Sequence, residues 1–198
     1  MTSKGAVGKR ESMTPLGVIV AGLAFTGVTI TLLTAPLAAL LGESRYALEG
    51  ALHGVSAGLF MVTATIGLFQ GYRLLTGTVL HVAQLEFGSV VNASLAFLTI
   101  LFGNRIYIFY RASQGPKTYF LENMPAIHKV FFEFKEFVAL FTLPLAVSAA
   151  FLFLVYRDQL VLRSKGLRMI AAILLMLTFF YFIVAFGLGA AITKLRAI

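Results

Sequence analysis

The chain has no cysteine, no tryptophan and little charge. Without cysteine there is no disulfide, no thiolate-held iron–sulfur cluster and no Cys-type zinc site. Charged residues make up 12% of the 198 residues, about half of the roughly 25% that a soluble domain carries. No long polar region offers room for a separate water-soluble catalytic domain. Any site within these residues therefore lies in the apolar stretches or in the short loops between them. No independent hydrolase or transferase signature is read in it, and the most that enzymology can claim is a redox subunit.

What is present is hydrocarbon. Hydrophobic residues reach 59% and the mean hydropathy is +0.91, more apolar surface than a soluble fold of this size can hide, whereas lipid requires none of it hidden. The expected fold class is all-α, a single integral membrane bundle of about five transmembrane helices over 1–198. Residues 1–12 form a polar tail with Lys4, Lys9, Arg10 and Glu11. Spans follow at about 13–42, 51–74, 79–106, 126–156 and 169–193. The first could open a signal peptide, but its uncharged run is long and reads better as a retained helix. Tyr107 through Arg111 read as an interfacial aromatic and basic belt. The stretch 112–125 reads as the longest external loop, Pro125 as a helix opener and Pro144 as a kink within the fourth span.

The formal charge of +8 is distributed at the ends of apolar runs, where it anchors helices and meets anionic headgroups. Nucleic acid is not an expected partner. The bilayer is, together with other membrane subunits and a quinone. Lys/Arg divide evenly between the two faces until Lys129 and Lys135, inside the fourth span, are set aside. The balance then places the N-terminus in the cytoplasm.

Ionisable groups within a span are costly and rank first as site candidates. His53 and His128 each lie about one turn into helices that enter from the same face. Two imidazoles at one depth on different helices can hold a b-type haem iron, with Gly54, Ala57 and Gly58 leaving room for the ring. They are the candidate cofactor ligands, with Glu49 four residues before His53 allowing a His/carboxylate metal site instead. Glu133, Lys135 and Glu136 form a candidate proton or quinone-headgroup site, and Glu86 could serve similarly near the other face. Ser89, Asn92 and Ser94 are expected to hydrogen-bond between helices.

His53, His81 and His128 at the entrances of successive helices, with Tyr72-Arg73 before a short turn, resemble the layout of small cytochrome b561-like b-type cytochromes over about residues 50–155. That resemblance implies electron transfer with a quinone or a partner cytochrome. The residues also allow a cofactor-free accessory subunit of a larger membrane complex, or a small transporter whose path is lined by the glutamates.

Overall fold

A computed structural model describes residues 13–41, 47–78, 81–160 and 164–195. Five helices among these are long and apolar enough to cross a membrane: α1 (Pro15–Leu41), α2 (Ala47–Leu75), α3 (Val82–Tyr110), α5 (Glu133–Asp158) and α6 (Lys165–Leu195). A short α4 (Pro116–Asn123) precedes α5, which is entered through a π-helical segment, Ile127–Phe132. No strand occurs among the described residues. The protein is an all-α, multi-pass membrane protein. The polar tail at 1–12, Arg45, Arg163 and Arg196 lie outside the described residues.

Helices α2, α3, α5 and α6 pack in a ring in which each touches the next, and α1 lies against α2 and α3. Neighbours in the ring run antiparallel, the up-down arrangement of a four-helix bundle. Core clusters mark its two ends. Leu74, Leu85, Phe153 and Ala171 meet where α2 and α5 end and α3 and α6 begin. Tyr110, Phe120, Phe132 and Ile192 meet at the opposite end. Outward faces remain apolar: Leu16, Leu32, Phe69, Phe137 and Phe151 are all exposed, as contact with lipid requires. Close approach is bought with small residues. A Cβ on Gly71 would lie 3.0 Å from the Ala172 carbonyl oxygen, so α2 and α6 meet there backbone to backbone.

The helices exceed the expected spans by a few residues at several ends, because Glu49 and Lys165 are built into helical turns. An α3 of 29 residues measures about 43 Å at 1.5 Å per residue, longer than the roughly 30 Å hydrocarbon core. Charged first and last turns therefore continue into the headgroup layer. Two local expectations are corrected. The supposed loop at 112–125 contains α4, opened by Pro116 at its first turn and pinned by the fully buried Phe120. Within α5 the departure from helical dihedrals falls not at Pro144 but at Arg157, with φ 33°.

Candidate functional site

The entry to α5 is locally irregular. In the segment Ile127–Phe132 the Glu133 amide donates to the His128 carbonyl five residues back, the wide turn of a π-helix. Such turns are rare overall and are frequent at functional sites. Here the widened turn carries His128, 5% exposed, against α3, where its Nδ1 lies 2.9 Å from the hydroxyl of the fully buried Tyr110. The Tyr110 ring stacks on Phe132 with centroids 4.1 Å apart and planes 2° from parallel. Tyr107 stacks on both, and the Arg111 guanidinium lies 4.2 Å above the Tyr107 ring.

One turn deeper the polar groups continue. Glu136 lies within electrostatic reach of the Tyr107 phenol. Lys135 places its ammonium 4.6 Å over the Phe132 ring, with its stem against Gly189 of α6. Below them His53 crosses from α2 and directs Nδ1 at the Thr99 carbonyl, 3.1 Å away. Its ring lies over Gly103, where a Cβ would meet Cε1 at 3.1 Å. The hydroxyls of Thr99 and of Ser56, one turn on from His53, are buried and have no hydrogen-bond partner among the described residues.

The spacing on α3 explains the assembly. Thr99, Gly103, Tyr107 and Tyr110 recur every three or four residues and so share one face of the helix. That face presents the partners of His53 and His128 in order of depth. Tyr110 lies eleven residues on from Thr99, about 16 Å along the helix axis.

At the opposite end Glu86 is 1% exposed and paired with Arg157. Arg157 Nε is 2.9 Å from Oε1 and Nη2 is 3.3 Å from Oε2, a two-pronged contact, while Nη1 donates to the Met13 carbonyl at 3.2 Å. A non-glycine residue at φ 33° is an outlier, and the turn it makes directs the guanidinium back to α3.

Of the residues singled out in the sequence, His53 and His128 thus meet one face of α3, with Lys135 and Glu136 on α5 at the same end of the bundle. Glu133 and His81 are exposed, and Glu86 belongs to a different cluster. His53 and His128 hang from different levels of α3 rather than facing each other across one position. Among the described residues no group of three or more His, Asp or Glu side chains could hold a metal ion, and Glu49 turns to Arg105 at 3.7 Å. Asn92 does bond between helices, accepting from Thr63 at 2.9 Å. Ser89 and Ser94 do not: their hydroxyls donate to carbonyls three and four residues back in α3, the local satisfaction open to a short side chain.

Gly54-Val55-Ser56-Ala57-Gly58 has the spelling of a nucleophile elbow, contrary to the expected lack of any hydrolase signature. It lies in the middle of α2 and Ser56 is fully buried, whereas that motif needs a strand-to-helix turn exposing the serine. Compared with protein-family models, curated proteins and solved structures, the chain matches none. The site therefore rests on its own chemistry. Tyr107, Tyr110 and Arg157 were not among the expected site residues. A signal for the tyrosines was available in their register with Gly103 and Thr99.

Proposed function

We propose that the protein is a proton-handling subunit of a membrane complex, passing protons from the face that carries His128 towards the bilayer interior. The observation that carries this is the buried Tyr110–His128 hydrogen bond, with Glu136, Lys135 and His53 set further in at the same end of the bundle. Imidazole, phenol, carboxyl and amine groups can each take up and release a proton, and hydrogen-bond reach is the first requirement for transfer. Wider gaps take a bridging water, for which the free hydroxyls of Thr99 and Ser56 supply partners. A quinone or a redox subunit in the same membrane is the fitting consumer of such protons.

The test is infrared spectroscopy of the full-length protein in liposomes with pH set separately on the two sides. The carboxyl signal removed by Glu136→Gln should follow the pH on the His128 side, and its response should slow at least tenfold in His128→Phe. A Glu136 signal indifferent to pH, or exchanging equally fast in the variant, would leave a cofactor-free accessory subunit as the better account.

A second reading keeps the b-type haem. In both His53 and His128 it is Nδ1 that engages a protein oxygen, leaving Nε2 as the open nitrogen, the arrangement usual for a metal-ligating histidine. Metal–nitrogen bonds are about 2 Å, so a shared iron requires the two rings to converge from their separate levels on α3. A reduced-minus-oxidised visible spectrum of protein from its native membrane decides: an α-band lost in both His53→Ala and His128→Ala supports the haem.

A further inference from the structure

A second polar feature lies away from the α3 ladder. Between α1, α2, α3 and α6 a cleft of about 270 Å³ is walled by Phe25, Ile66, Phe87 and Leu175. Its lining is apolar with a few polar groups, the usual make-up of a small-molecule site, and its volume falls just under the roughly 300–1,000 Å³ of drug-sized pockets. It has room for a ring or a short chain segment.

Asn92 is 96% buried, at 4% exposure, and lines this cleft. Its Oδ1 accepts the Thr63 hydroxyl, which fixes the carboxamide orientation. Among the described residues nothing accepts a hydrogen bond from its Nδ2. Ten residues into α3, Asn92 stands about 15 Å along the helix axis, a depth at which the hydrocarbon has no water to offer and an unmet donor is costly. Gln70, nearer the membrane surface, also lines the cleft.

We propose that this cleft binds a lipophilic carbonyl compound, its ring or chain between Phe25, Ile66, Phe87 and Leu175 and its carbonyl oxygen accepting from Asn92 Nδ2. A lone donor in an apolar slot selects an acceptor that is itself neutral, because a charged group at that depth would have no counterion. Isoprenoid quinones and acyl lipids both carry such a carbonyl. The site shares no residue with the proton ladder, so either can fail while the other stands.

Native mass spectrometry of the full-length protein in detergent tests this with three probes: a decyl-substituted benzoquinone, dioleoylphosphatidylcholine and decylbenzene, which lacks the carbonyl. One molecule of a carbonyl probe should bind, and Asn92→Leu should weaken it about tenfold, the worth of one buried hydrogen bond. Gly88→Leu should abolish it: Gly88 lines the cleft, and a Cβ there meets only the end of Gln70, at 3.9 Å, so a leucine fills the space without striking backbone. Circular dichroism confirms that each variant is folded, and the Gly88 variant carries the test if Asn92→Leu is not. Quinone binding with this sensitivity, or phosphatidylcholine binding with it, supports the proposal and identifies the source of the carbonyl. It is overturned if neither carbonyl probe binds, if both variants bind like the wild type, or if decylbenzene binds equally well and responds equally to Asn92→Leu.

Discussion

The two ends of the bundle handle buried polarity in opposite ways. Near the start of α3 a single carboxylate, Glu86, is closed off by a two-pronged arginine. Near its other end four ionisable side chains and two tyrosines gather, and among the described residues each imidazole is hydrogen-bonded through one nitrogen. A charge that is fully matched has nowhere to pass a proton and its effect is to lock α3 to α5. A series of partly matched groups gives up stability for exchange. On these grounds Glu86, which composition alone ranks beside Glu136 as a proton carrier, is assigned to structure.

The largest expected effect tests the closed end. Arg157→Met removes the two-pronged partner of the buried Glu86, and losing one partner of a buried pair costs about 3–5 kcal/mol. The double variant Glu86→Leu/Arg157→Met should recover most of that loss, since replacing both members by apolar groups is often neutral. Unfolding in detergent reads both. A cost below about 1 kcal/mol for Arg157→Met would class the pair with exposed bridges and erase the contrast. Proton access to Glu136 should be unaffected by either change.

The open end yields a smaller loss of stability and a larger loss of exchange. Tyr110→Phe keeps the stack on Phe132 and removes only the hydroxyl that meets His128. Leaving a buried ring nitrogen without its partner costs about 1–3 kcal/mol. In the split-pH liposomes the Glu136 signal should respond at least several-fold more slowly. Equal stability together with an unchanged response would show that His128 reaches its proton partners by another route.

How far these assignments could be read from sequence varies with the physics behind each one. Five spans were legible because each holds an uncharged run of 18 residues or more, which admits few other fates. That His53 and His128 belong to one end of the bundle followed from alternating helix direction alone. Their partners did not follow. Tyr110 at the end of a span reads as an interfacial tyrosine, and only the docking of α4 and the π turn buries it. Nothing local marks the extra residue in that turn. Glu86 and Arg157 lie 71 residues apart, and their meeting depends on the strained turn at Arg157. Helix α4 escaped because Pro116–Asn123 is polar on average and owes its place to one buried ring, Phe120.

The finest test falls where the ladder is narrowest. His53 rests on Gly103, and a Cβ there would stand 3.1 Å from Cε1 and 3.4 Å from Nδ1, closer than side chains normally tolerate. In Gly103→Ala the ring must tilt by a few tenths of an ångström, stretching its contact with the Thr99 carbonyl. Against that strain, alanine is up to about 1 kcal/mol better than glycine in a helix, so the two effects nearly cancel and stability should change by less than about 0.5 kcal/mol. The imidazole would still report the move: its nitrogen NMR shifts should change while those of His128 stay put. Gly103→Val adds two methyl groups with no space to receive them and should cost about 1–3 kcal/mol. A valine tolerated without loss, or a His53 spectrum untouched by alanine, would mean that the ring does not lie on Gly103.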